Sequence, residues 1–111
     1  MAETPVFEWV SSGTRPPGEG GTVCALLRGR SVLVCCVEGR LHAVENRCPH
    51  AGAPLDGGRL DGHVLECPLH GGRLDVRDGS PVEVPIRKPV ERFAAREGLT
   101  GLVEILLPQA S

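Results

Sequence analysis

The chain has 111 residues, which suits one domain, and its 41% hydrophobic and 23% charged residues are an ordinary globular composition that needs no disulfide staples. A formal net charge of −2 with 3% aromatic residues leaves neither a basic stripe nor the stacking side chains that nucleic acid would require. The longest apolar runs, Val32 to Val37 and Ile105 to Leu107, fall far short of the ~20 residues that cross a bilayer, and MAETPVFEWV resembles neither a secretory nor a twin-arginine leader, so a cytoplasmic protein without a membrane anchor is expected.

Turn formers are dense, with 15 Gly and 10 Pro, and no stretch sustains a helical period, so the chain reads as all-β. In chain order, Val6 to Val10 forms a first strand and SSGTRPPGEGG a loop. Thr22 to Arg28 and Ser31 to Val37 form a hairpin closed on Gly29–Arg30, with glycine supplying the positive φ of a type II′ turn. Glu38–Gly39 turns into a third strand, Arg40 to Val44. Val32 to Val37 is apolar on both faces, as a strand between two layers should be. From Asn46 to Asp75 the apolar runs shrink and Gly, Pro, Cys and His concentrate, with a tight turn at Asp61–Gly62 and another beyond, at Asp78–Gly79. Strands resume at Val82 to Val84, Val90 to Ala95 and Thr100 to Leu107, and PQAS is a frayed tail. The expected organisation is one domain over 1–111, with residues 46–75 inserted into a β scaffold of about 5–45 and 76–107.

The insert holds Cys48-Pro49-His50 and, sixteen residues on, Cys67-Pro68-Leu69-His70. Thiolate and imidazole are the side chains that bind iron and zinc most readily, and five cysteines in a reducing compartment are thiols or metal ligands before they are disulfides. A structural zinc site is one reading of two Cys–His pairs. Zinc pairs, however, usually run C-x₂₋₄-C and H-x₃₋₅-H, a spacing absent here.

CPHAGAPL and CPLHGGRLDVRDG, with their flanks LHAVEN and GRLDGHVLE, resemble the two cluster-binding loops of the Rieske family, and most of all its soluble bacterial ferredoxins. The resemblance extends in layout over roughly 5–107 and is specific over about 41–79. It implies an antiparallel β-sandwich scaffold with a smaller cluster-binding subdomain. It further implies one [2Fe–2S] cluster, with Cys48 and Cys67 as thiolate ligands of the inner iron and His50 and His70 as imidazole ligands of the outer one. Pro49, Gly52, Pro54, Pro68 and Gly71 would shape the loops. Two ferric ions, two sulfides, two thiolates and two neutral imidazoles sum to zero charge, so reduction costs less than in an all-cysteine cluster. The potential of such centres therefore lies at about −150 to +300 mV. The high-potential branch adds an inter-loop disulfide and serine and tyrosine hydroxyls near the sulfurs. Ala53, Leu69, Gly72 and Leu74 occupy those positions and the chain has no tyrosine, which implies a value near the low end. Tryptophans that many ferredoxin-like members carry are replaced by Leu69 and Gly72.

The family role so implied is a one-electron carrier, not itself an enzyme. It takes electrons from a flavin-dependent NAD(P)H reductase and passes them to an oxygenase, with His50 and His70 at the exposed tip. The alternatives are a small subunit of a multicomponent reductase such as nitrite reductase and, from another class, a structural zinc domain. Outside the four ligands, Cys24, Cys35 and Cys36 read as small core side chains. In the register expected for the first hairpin, Cys24 faces Cys35, which makes a disulfide conceivable. His42 and His63 read as surface or core fillers. Pro81, Pro85 and Pro89 form either a lid near the cluster or a plain connector. Asp56, Asp61, Glu66, Asp75 and Asp78, interspersed with Arg47, Arg59, Arg73 and Arg77, form either an acidic docking face or a mixed solvated surface.

Overall fold

The computed structural model describes residues 6–109. Of the tail expected to fray, Pro108 instead pairs with Phe7 and the Gln109 N–H donates to the Val6 carbonyl at 2.6 Å, while residues 110–111 lie outside the described residues. Every regular element among the described residues is a β-strand. Strands β1 (Phe7–Ser11), β10 (Ala95–Glu97) and β11 (Val103–Pro108) form one antiparallel sheet in the order β1-β11-β10. A second sheet runs β2 (Thr22–Leu27), β3 (Arg30–Val37), β4 (Arg40–Glu45), β9 (Arg92–Phe93). The third is built from β5 (Leu60–Asp61), β6 (Val64–Glu66), β7 (Arg73–Asp75) and β8 (Pro81–Glu83), in chain order. Three strands of that sheet fall in the stretch 46–75, and β8 continues it from the flank.

The second sheet is the middle layer, and β3 shows why the sequence makes it so. On one face Val32 and Val34 join Phe93, Val103, Ile105 and Leu107 of the sandwich core. On the other, Leu33, Cys35 and Val37 join Leu55, Leu65, Leu74, Val76 and Ile86. Each such aliphatic side chain, fully buried, contributes about 1.5–3 kcal/mol, so a strand apolar on both faces is stable only between two layers. Burial also pushes the Cys35 thiol up to about 12, which keeps it a neutral core filler.

The first hairpin turns one residue earlier than expected, which moves each cross-strand partner by two residues. Its turn is Arg28–Gly29, with φ of 51° and 78°, and Leu27 faces Arg30. Two positive φ values mark a type I′ turn, whose twist matches the flanking strands. A two-residue change of partner leaves every side chain on the same face but gives it a new neighbour. Cys24 therefore faces Leu33, Cys35 faces Thr22, and no disulfide joins them; Cys24, on the edge strand β2, is exposed. The second hairpin turns on Glu38–Gly39 as expected, again with both φ positive. The Glu19 carboxylate accepts the N–H groups of Glu38 and Gly39 at 2.6 and 2.8 Å, which pins the long loop between β1 and β2 onto that turn. In the third sheet Asp61 pairs with Val64, so the turn is Gly62–His63, one residue later than expected.

Candidate metal centre

Strand β4 ends at Glu45 and delivers the first loop, while β6 and β7, paired through Glu66 and Arg73, carry the second. The two loops close on the same circuit. In the first, the Cys48 N–H donates to the Ala53 carbonyl at 2.6 Å and the Gly52 N–H to the Cys48 carbonyl at 2.7 Å. In the second, the Cys67 N–H donates to the Gly72 carbonyl at 2.7 Å and the Gly71 N–H to the Cys67 carbonyl at 3.0 Å. The fifth residue of each circuit has φ near 76°, 77° at Gly52 and 75° at Gly71, a left-handed conformation that glycine adopts without a Cβ clash.

This circuit places the four predicted side chains together. Cys48 and Cys67 are each 1% exposed and belong to the core below the loops, whereas His50 and His70 are exposed. The imidazole rings meet edge to face, centroids 4.9 Å apart, although His50 is the third residue of its loop and His70 the fourth of its own. Burial pushes the Cys48 thiol up, the N–H groups of His50 and Ala51 work against that, and the neighbouring Cys67 thiol adds to it. Two buried thiols that crowd one another become thiolates only if positive charge is placed between them, as metal ions do.

The donor set fits a pair of metal ions. A dinuclear iron–sulfur cluster asks only for two donors at each end, sulfur on one side and nitrogen on the other, and that is how the four residues sort by depth.

A third segment, residues 84–91, packs against both loops. A Cβ at Gly72 would lie 2.7 Å from Ile86 Cγ1 and 3.1 Å from its backbone nitrogen, so Ile86 presses on the second loop. Pro89 lines a cleft with Arg47, Pro49, His50 and Gly52 of the first. Of the three prolines considered as a lid, Pro89 lies beside the loops, while Pro81 belongs to β8. Leu74 is fully buried and Gly72 has no room for a side chain, so neither position offers a hydroxyl. Leu69, next to His70, is 60% exposed.

The carboxylates form a mixed surface. Glu66 and Glu83 both pair with Arg73, Asp75 pairs with Arg77, and Asp78 accepts from Ser80. The Arg77 guanidinium beside Asp75 holds its carboxyl below the usual range. His42 on β4 and His63 in the β5–β6 turn, read as fillers, stand edge to face at 5.5 Å and so link the strand that delivers the first loop to the hairpin that precedes the second. The His42 Nε2 is buried without a partner, and burial, then His63 and Arg92, hold its pKa below the usual histidine value. One residue escaped the sequence reading altogether. Asn46 is buried and hydrogen-bonded at both ends of its carboxamide, and its only sequence signal is a polar amide between an apolar strand and the first cysteine.

With this geometry in hand, the chain can be set beside known proteins. The profile of the Rieske [2Fe-2S] domain matches residues 11–94. The ferredoxin component of the naphthalene 1,2-dioxygenase/salicylate 5-hydroxylase systems of Ralstonia sp is 35% identical over 78 residues, covering 70% of this chain and 75% of that one. The ferredoxin of carbazole 1,9a-dioxygenase from Nocardioides aromaticivorans IC177 superposes with a TM-score of 0.74 at 31% identity, covering 96% of this chain and all of that one. A ferredoxin seen in complex with the reduced oxygenase of carbazole 1,9a-dioxygenase superposes equally well, with a TM-score of 0.74 at 30% identity over 92% of this chain and 94% of that one.

Proposed function

Because the chain belongs to the Rieske [2Fe–2S] domain family, we propose that it is the ferredoxin component of an oxygenase system, a one-electron carrier that performs no bond chemistry of its own. It carries one [2Fe–2S] cluster, which supplies a reversible one-electron couple. The residues proposed to hold it are Cys48 and Cys67 through Sγ and His50 and His70 through imidazole nitrogen. The observation that carries this reading is the sorting by depth: both thiols in the core, both imidazoles at the surface and in mutual contact.

The protein's own residues then have distinct tasks. The buried cysteines, backed by Leu55, Leu65 and Leu74, keep water from the thiolate side. His50 and His70 set the distance of closest approach for a partner, and the exposed Leu69 beside them gives that contact an apolar point. The partners are a flavin-dependent ferredoxin reductase on the donor side and a terminal oxygenase on the acceptor side. Both are supported by relatives that are ferredoxin components of dioxygenase systems. We place the protein in the cytoplasm, where five unpaired cysteines are stable; no helix among the described residues is long and apolar enough to cross a membrane. The domain is read as a single unit with residues 46–75 as its cluster-binding part.

The potential is proposed to lie near the low end of the family range of about −150 to +300 mV, because donors to the sulfurs raise it and the Gly72 and Leu74 side chains supply no hydroxyl. Electron paramagnetic resonance of the dithionite-reduced protein tests the reading. The expected result is a rhombic signal with average g below that of an all-cysteine cluster and two irons per chain. A colourless protein with one zinc per chain would overturn it, and a midpoint well above zero would overturn the potential alone.

A further inference from the structure

The side chain of Asn46 sits where the middle sheet meets the first cluster loop. Its Oδ1 accepts the N–H groups of Leu55 at 2.8 Å and Asp56 at 2.9 Å. Its Nδ2 donates to Asp56 Oδ1 at 2.9 Å, to Ser31 Oγ at 3.1 Å and toward Cys24 Sγ at 3.3 Å. Its backbone N–H donates to the Ser31 carbonyl at 2.9 Å. The amide orientation is fixed by chemistry: backbone N–H groups only donate and the Asp56 carboxylate only accepts, so the oxygen must face the former and the nitrogen the latter. The loop leaves the sheet at Asn46 and returns at Leu55, a fully buried member of the core that holds Cys48 and Cys67. Asn46 therefore fastens the start of the loop to its end, and both to the first residues of β3.

We infer that Asn46 is a positioning residue for the cluster: its carboxamide, bridging Leu55, Asp56 and Ser31, holds Cys48 and His50 in the arrangement that retains the [2Fe–2S] group. The inference rests on the proposed reading of the site. The second loop is closed by a short hairpin and pressed by Ile86, so it needs no such side chain. The first spans the interval from β4 to β5 without a strand, and the Asn46 carboxamide joins its start to its end. No hydrophobic residue at position 46 can replace it, because the buried N–H of Leu55 would lose its acceptor.

The arrangement of donor and acceptor offers an exchange test. In Asn46→Asp, an oxygen replaces the donor and faces the Asp56 carboxylate. In the double variant Asn46→Asp with Asp56→Asn, the donor returns from the opposite side while the Leu55 N–H keeps its acceptor. The measurement is the rate at which an iron chelator bleaches the visible absorption of the holoprotein, read with the g values of the reduced form. Asn46→Asp is expected to release the cluster about tenfold faster or more, because it replaces a part-buried, charge-assisted hydrogen bond to Asp56 with a repulsion between two carboxylates. The exchanged pair is expected to return to within about threefold of wild type, with wild-type g values. Should Asn46→Asp yield no folded holoprotein, Asp56→Ala, which keeps both backbone contacts of Oδ1, is expected to release the cluster a few times faster than wild type. A single variant as retentive as wild type, an exchanged pair as leaky as the single one, or an unchanged Asp56→Ala overturns the inference. Wild-type protein without the rhombic signal overturns the reading of the site instead, which separates the two failures.

Discussion

The two cluster loops share one backbone circuit and are held by opposite means. Each begins at a buried cysteine, turns on a left-handed glycine and closes on the sixth residue. At that sixth position the first loop has Ala53 and the second Gly72, and the difference has a visible cause: Ile86 lies where a side chain on Gly72 would stand. The second loop is thus pressed from above by an aliphatic side chain, while the first is laced from below by the carboxamide of Asn46. Near-equal geometry at the thiolates and imidazoles is obtained from packing on one side and hydrogen bonds on the other. A pair of loops that share one cofactor has to agree in shape, not in support.

The strongest test of their equality is removal of either thiol. Cys48→Ser and Cys67→Ser are each expected to abolish the cluster completely, read as iron per chain and loss of colour. Retention by one variant alone would make the loops unequal as ligand sources. Next comes Ile86→Ala, which removes the press on the second loop. A fall in stability of about 2–5 kcal/mol by thermal or urea unfolding is expected for a buried isoleucine, with faster bleaching by chelator. Gly72→Ser approaches the same contact from the other side and should cost roughly 1–3 kcal/mol through overpacking. Its midpoint tells whether a hydroxyl there can still reach the sulfurs, and a rise without loss of stability would show that Ile86 yields freely.

Smaller effects separate the glycines. Gly52→Ala and Gly71→Ala each place a Cβ at positive φ, at a cost of about 1–2 kcal/mol. The Gly52 variant should be the worse, because its Cβ would also lie 3.3 Å from Arg47 Nε, whereas that of Gly71 meets open space. Urea midpoints rank the two. The smallest effect is on the link between the supports. His42, its pKa lowered by burial and then by His63 and Arg92, stays neutral in the folded chain at a pH where the unfolded chain has taken up a proton. In that window the unfolded state binds more protons, so stability rises with pH. It should be complete above the ordinary histidine value of about 6.5 and decline below it until the folded pKa is passed. His42→Gln should flatten this part of a plot of urea midpoint against pH, and an unchanged slope would remove His42 as its source.

The fold class and the four candidate ligands were legible in the sequence for physical reasons. Strands bounded by Gly and Pro need no distant information, and ligand spacing within a loop is local chemistry. Register was less legible. Gly29 suits either Gly29–Arg30 or Arg28–Gly29 as a turn, and Val32 to Val37 is apolar on both faces, so the strand's own pattern cannot say which partner each residue takes. Cys24, expected among core residues, is exposed because β2 lies at the edge of its sheet. The pairing of His42 with His63 was equally hidden, since they are brought together by layers distant in sequence.

Taken by itself, the sequence determined that the chain is all-β and that it carries two Cys–His loops, because those properties reside in residue identity and short spacing. Only the tertiary structure decided that the thiols lie in the core and the imidazoles at the surface, that Ile86 excludes a side chain at Gly72, and that Asn46 ties the first loop to β3. Each of these depends on which buried surfaces meet across the middle sheet, and close packing settles that among all three layers at once.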